Sequence, residues 1–243
     1  MKSRRGLWVL PLIAAALFMV IWHFAVTLSD AAVFPTPIKV LAGAFDLARG
    51  GLLVKYIVAS LFRVSCGFLL ALIIGVPTGL LIGWFTRAFE IFNPLIQVLR
   101  PISPIAWTPI AILWFGVSDL APIFLIFLAS LFPIMTSSIA AVQNIQLVHL
   151  RAAQNFGVRG LKLFTQVVFP ASLPQIITGV RLALGIAWMV VVAAEMIAVN
   201  SGLGYLIIDA RNAGMRYDLV VAGMALIGLI GLTLDMIVKR LSS

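Results

Sequence analysis

Long apolar runs recur along this chain at residues 6–28, 64–85, 103–118, 121–141, 176–198 and 219–238. A helix of about 20 apolar residues crosses the roughly 30 Å hydrocarbon core of a bilayer, because each residue adds about 1.5 Å. Composition points the same way. Of the 243 residues, 63% are hydrophobic and 10% charged, and the mean hydropathy is +1.15. A soluble domain carries about 25% charged residues, so a secreted domain, a cytosolic enzyme and a disordered chain are excluded. Spans must satisfy their backbone polar groups internally, which favours helices. The short alternating segments of a membrane β-barrel are missing. The expected fold class is all-α: one polytopic domain over residues 1–243 with about six transmembrane helices.

The third run is interrupted by Pro104 and Pro109. It can begin earlier, near Ile91, and break around Arg100-Pro101. Broken backbone at membrane depth is tolerated against protein or a watery cavity, so Pro94, Pro101, Pro104 and Pro109 point either to an interior segment or to kinks fitted to neighbouring helices.

Seventeen Lys+Arg against eight Asp+Glu give a formal net charge of +9. The basic residues fall mostly between apolar runs, so topology explains them better than nucleic acid does. With a cytoplasmic N-terminus, the inside segments hold ten of them: Lys2, Arg4, Arg5, Arg87, Arg100, Arg151, Arg159, Lys162, Lys239 and Arg240. The outside segments hold six: Lys39, Arg49, Lys55, Arg63, Arg211 and Arg216. The asymmetry favours both termini inside. Lys2, Arg4 and Arg5 could also open a signal peptide with a cleavage site at Ser29-Asp30-Ala31, but the apolar run exceeds a usual signal core, so an uncleaved first helix is expected. Outside it, Thr36 and Pro37 suit the start of a short amphipathic surface helix that Gly50-Gly51 ends.

No phosphate loop, His-Glu-x-x-His, Cys-x-x-Cys or Gly-x-Ser-x-Gly motif occurs. Cys66 is the single cysteine, and His23 and His149 lie far apart, so neither an intrachain disulfide nor a structural metal site is expected. Energy for transport would come from an ion gradient or from another subunit.

The longest inside loop, residues 142–175, carries Arg151-Ala152-Ala153-Gln154-Asn155-Phe156-Gly157, then nine residues, then Val167-Val168-Phe169-Pro170. This pattern predicts a helix, a permissive turn at Gly157, and a second helix from Gly160 that stops at Pro170. Small side chains at Ala152 and Ala153 would let another surface approach closely.

The loop resembles that of the permease subunits of ABC importers: Glu-Ala-Ala, three residues, Gly, nine residues, Ile-x-Leu-Pro. Ala152, Ala153, Gly157 and Pro170 match at the right spacing, while Arg151 stands where Glu is usual. Phe34-Pro35-Thr36-Pro37, Leu99-Arg100-Pro101-Ile102-Ser103-Pro104, Ile112-Leu113-Trp114-Phe115-Gly116, the segment Gly179–Gly185, Ala194-Glu195 and Ser201-Gly202-Leu203-Gly204-Tyr205 look like the branch serving nitrate, taurine, alkanesulfonates, bicarbonate and some pyrimidine precursors. The resemblance implies a type I importer permease in the bacterial inner membrane that is not itself an enzyme. It would work as a dimer with a second copy or a close relative and pass a small, expectedly anionic solute from an extracytoplasmic binding protein. Two cytoplasmic ATP-binding subunits would hold ATP and Mg and engage Arg151, Ala152, Ala153, Gly157, Arg159 and Pro170. No cofactor, metal or nucleic acid is expected on this chain.

Charges within the bilayer are costly and default to functional candidates. Arg181, Trp188 and Glu195, spaced by seven, share one helix face. They extend over about 21 Å, too far for Arg181 and Glu195 to pair. This stripe is the candidate pathway or gate. Snorkelling of Arg181 and a hydrogen bond from Glu195 to a neighbouring helix are the alternatives. Asp235 is expected at the interface beside Lys239. An ion-coupled secondary carrier is the competing function, disfavoured by the absence of an inverted repeat and of a midplane carboxylate.

Overall fold

The computed structural model describes residues 6–28, 34–212 and 214–241. Lys2, Arg4 and Arg5, and the cleavage site Ser29-Asp30-Ala31, lie outside the described residues. Those described form helices and no strand. They are α1 Gly6–Leu28, α2 Pro37–Arg49, α3 Leu52–Trp84, α4 Thr86–Leu99, α5 Thr108–Phe115, α6 Leu120–Gln143, α7 Leu147–Asn155, α8 Gly160–Leu163, α9 Phe169–Ala198, α10 Leu203–Asn212 and α11 Tyr217–Leu241.

Among the described residues, four helices are long and apolar enough to cross a membrane: Leu52–Trp84, Leu120–Gln143, Gly160–Ala198 and Tyr217–Arg240. The segments Thr86–Leu99 and Pro104–Phe115 make a fifth when taken as one span bent by 84°, and α1 is a further apolar helix. The bend falls where the prolines cluster. Pro104 disfavours helical backbone at Ser103, which is extended at ψ 129°, and Pro104 itself opens a short 3-10 turn, Pro104–Trp107, that leads into α5. Gly116, at φ +68°, ends α5.

Three helices make the core. α3 and α6 run in the same direction, and the face of α3 carrying Gly67, Gly75, Gly79 and Gly83 lies directly on α6. A Cβ at Gly79 would stand 2.6 Å from the Met135 carbonyl, and one at Gly67 2.7 Å from that of Ile123. Lipid gives helices little hydrophobic reason to associate, so close backbone packing through small residues carries the contact. α9 runs opposite to both, bringing Gly179 onto Ser137. α11 is antiparallel to α9. α2 sits where expected, with Thr36 before it and Pro37 in its first turn, and Gly43 packs on Asp218 and Leu219 at the start of α11.

Two boundaries differ from the sequence reading. α3 begins at Leu52 rather than 64, so Lys55 and Arg63 belong to a helix and not to an outer loop. Pro170 does not stop a helix: Gly160–Ala198 runs through it as one span. Phe164–Val168 adopt a π turn, so Pro170, which has no N–H to give, sits just past an irregular stretch of the helix and not in the middle of a regular ladder.

Candidate functional site

The residues singled out by sequence fall at two opposite ends of the bundle and on the face of α9 between them. At one end α7 carries Arg151, Ala152 and Ala153. Its last turn closes as a Schellman cap: Val158 N–H donates to the Ala153 carbonyl at 3.1 Å and Gly157 N–H to the Gln154 carbonyl at 2.9 Å. The cap requires the left-handed conformation that Gly157 adopts at φ +81°, and a Cβ there would meet only open space. Gly157 is therefore a conformational requirement, not a packing one. Around it Leu147, Val148, Phe156 and Leu161 are exposed, Phe156 at 88%, and Arg159 and Pro170 are exposed as well. Phe164 of the π turn packs edge-on to Trp84, anchoring this end to α3.

On α9, Arg181 donates from Nε and Nη2 to the two carboxylate oxygens of Asp235, at 2.9 and 2.8 Å. Asp235 thus ties α11 to α9 rather than lying unpaired at the interface beside Lys239. The two side chains border a cavity of about 210 Å³ shared with Gly185, Trp188 and Gly231. Trp188 is mostly buried, with its indole against Gly231.

The other end holds a buried charge network. Glu195 is 0% exposed and Arg63 2%. Ser60 Oγ lies 2.8 Å from each Glu195 carboxylate oxygen, Arg63 Nη1 donates to Glu195 Oε1 at 2.7 Å, and Gly204 N–H donates to Oε2 at 3.0 Å. Arg63 also donates to Asp119 from Nε and Nη2, and to the carbonyl and hydroxyl of Ser201. Five hydrogen bonds match its five donors. The structure brings Glu195 to Arg63, and not to Arg181 or Trp188. Outside this network, Arg216 bonds Asp218 at 2.7 Å and stands 3.6 Å from Asp46 of α2. Chiefly the Asp218 hydrogen bond pushes the Arg216 guanidinium up from its ordinary pKa. Among the described residues, no group of three or more His, Cys, Asp and Glu could hold a metal ion.

Residues 67–243 match the family described as the binding-protein-dependent transport system inner membrane component. The chain belongs to this family. It is 41% identical to a Methanocaldococcus jannaschii protein assigned provisionally to the ABC transporter permeases, over 93% of this chain and 87% of that one. The taurine transport system permease protein of Escherichia coli is 32% identical, over 99% and 93%. The nitrate import permease protein of a Synechocystis strain is 31% identical, over 96% and 87%. The fold is shared with a chain of the inward-facing MetNI methionine ABC transporter, at TM-score 0.63 and 18% identity, over 79% of this chain and 96% of that one. The all-α permease fold and the family expected from the loop motif are both found.

Within this permease, sequence reasoning missed Ser60, Arg63 and Asp119. One signal was available. Arg63 opens an apolar run and Glu195 closes another, and two opposite charges at such depths are each other's natural partners.

Proposed function

We propose that this chain is the membrane subunit of an ATP-driven importer, working as a two-fold dimer with both termini and the residue 142–175 loop on the cytoplasmic side. Two ATP-binding subunits, carrying ATP and Mg, dock on Arg151, Ala152, Ala153, Gly157, Arg159 and Pro170. A solute-binding protein delivers a small anionic solute to the opposite face. The relatives named for taurine and nitrate support a solute that presents an anionic oxo group, a sulfonate in the one and the nitrate ion in the other. Arg181 and Trp188 border the candidate inner gate, where their cavity offers a guanidinium and an indole. The observation that carries the reading is the α7 turn: a rigidly capped element that leaves Phe156 and Leu161 exposed, an arrangement that serves protein contact.

The test is co-purification of the ATPase subunit with the wild-type permease and with Phe156→Asp and Leu161→Asp, alongside solute uptake in vesicles. Retention of the partner by the wild type and its loss from both variants is expected. Undiminished retention and uptake in both would overturn the assignment of this loop.

A further inference from the structure

α10 has an unusual beginning. The first N–H groups of a helix have no partner within it and carry the positive end of its dipole. Here they are met from outside the segment. Leu203 N–H donates to Ser60 Oγ of α3 at 2.9 Å, and Gly204 N–H to the Glu195 carboxylate of α9. Gly202, at φ +107°, lies so close over that carboxylate that a Cβ there would strike it. Ser201, just before the turn, is held by Arg63 through both its carbonyl and its hydroxyl. Tyr205 packs edge-on to Tyr56 of α3. Leu203, Leu206 and Ala210 turn inward, and Asp209, Arg211 and Asn212 are exposed.

We infer that Glu195 is a positioning residue: it caps α10 from the side and thereby holds the Tyr205–Arg211 face rigid as the docking shelf for the solute-binding protein. The inference rests on the proposed function, because the shelf lies at the end of the bundle opposite α7. Glu195 touches no solute, since its carboxylate is sealed from solvent and engaged by Ser60, Arg63 and Gly204. The shelf and the neighbouring α2 expose both signs of charge: Asp209 and Arg211 on one, Lys39, Asp46 and Arg49 on the other. Such a surface suits a soluble protein partner held by salt-sensitive charge pairs. Pre-ordering the helix removes an entropic cost from docking.

Glu195→Gln tests the positioning. An amide presents one N–H2 where the carboxylate presents only acceptors, so it opposes one of the three donors around it and loosens the α10 turn. The assembled complex with its ATPase subunits is placed in nanodiscs. Binding of the labelled solute-binding protein of the same system is titrated without solute and normalised to assembled complex. Glu195→Gln is expected to weaken docking about tenfold, and Arg211→Glu and Asp209→Lys at least threefold each, with added salt weakening wild-type docking. The surface variants leave the network untouched and decide the shelf alone. Should Glu195→Gln fail to assemble, Ser60→Ala, which removes the hydroxyl between the Leu203 N–H and the carboxylate, tests the positioning in the same titration, with wild-type docking overturning it. Docking within twofold of wild type for both surface variants would overturn the shelf. Wild-type docking by an assembled Glu195→Gln would overturn the positioning role. ATPase retention by the wild-type permease reads the underlying function separately.

Discussion

The indole N–H of Trp188 donates to the backbone carbonyl of Ile227, 3.1 Å away. A side chain of α9 is thus fastened to the backbone of α11 in mid-helix, where the indole occupies the room that Gly231 leaves. Two turns earlier on α9, the Arg181–Asp235 pair makes a second fastening between the same helices. The two contacts fix how α11 lies on α9, and so they fix the walls of the cavity between them.

Trp188→Ala should destabilise the folded permease by about 3 kcal/mol, the cost of emptying a buried aromatic site. Trp188→Phe should cost about 1 kcal/mol, from the lost hydrogen bond and a smaller ring. Thermal unfolding in detergent measures both. If Trp188 serves the gate, uptake by the Phe variant falls further than its stability accounts for. Uptake that follows stability alone would assign the residue to packing.

Gly79→Leu should block assembly of the α3–α6 pair, because the added side chain meets the Met135 carbonyl and Ser138. Even Gly79→Ala should cost about 1–3 kcal/mol, as overpacking does. Gly228, with open space around it, is the control. Gly228→Ala should leave the melting temperature within a degree or two.

Gly157→Val should disrupt the α7 cap without disturbing the spans. A β-branched residue at φ +81° is strained by about 1–2 kcal/mol or more, and the open space means no clash adds to it. The expected result is normal insertion and dimerisation with ATPase retention lowered roughly 5- to 30-fold. Gly157→Asn, which tolerates the left-handed region better, should retain more partner than Val. Equal retention by wild type, Asn and Val would remove the backbone rationale.

Arg63→Met should cost about 3–5 kcal/mol, because it leaves the buried Glu195 carboxylate without its cation. Asp119, 58% exposed, is the contrasting partner, and Asp119→Asn should cost less than about 1 kcal/mol. The double variant Arg63→Met with Glu195→Leu should remain about 1–3 kcal/mol less stable than wild type, since the Gly204 N–H stays unpaired. Thermal melts of the three proteins check this. Full recovery in the double variant would show that the carboxylate does not cap α10.

Orientation is tested by labelling single cysteines in a Cys66→Ser background. Asp209→Cys should react with an impermeant reagent in spheroplasts, and Gly157→Cys only after permeabilisation. The reverse pattern would invert the topology.

Much of this architecture was legible in the chain because bilayer length is a blunt requirement. The apolar run at 121–141 and α6, at Leu120–Gln143, nearly coincide. Thr36-Pro37 marked the start of α2, and the break after Arg100 was marked by its prolines. The loop motif led to the family because its small residues and its glycine stand at fixed spacing. What stayed hidden depends on contacts far apart in sequence. Arg63 reads as an outer-loop cation until α3 is seen to start at Leu52, and its burial follows only from the meeting of α3, α6 and α9. Pro170 reads as a helix end because local rules say so, and the π turn that accommodates it has no simple sequence mark. Gly67, Gly75, Gly79 and Gly83 recur at multiples of four, a pattern that tertiary packing turns into a helix contact.

The helix Gly160–Ala198 is 39 residues long, about 58 Å at 1.5 Å per residue, nearly twice the hydrocarbon thickness. It starts beside the α7 turn and ends just past Glu195. The permease therefore contains one helical span with a different attachment at each extremity, broken in regularity by the π turn near its α7 end. It is braced against α3 and α6 along its length, at Ile176 beside Leu80, at Ala183 beside Ala71 and at Glu195 beside Ser60. The two ends of the bundle are thus joined by the covalent chain of a single braced helix and not by a relay of separate ones.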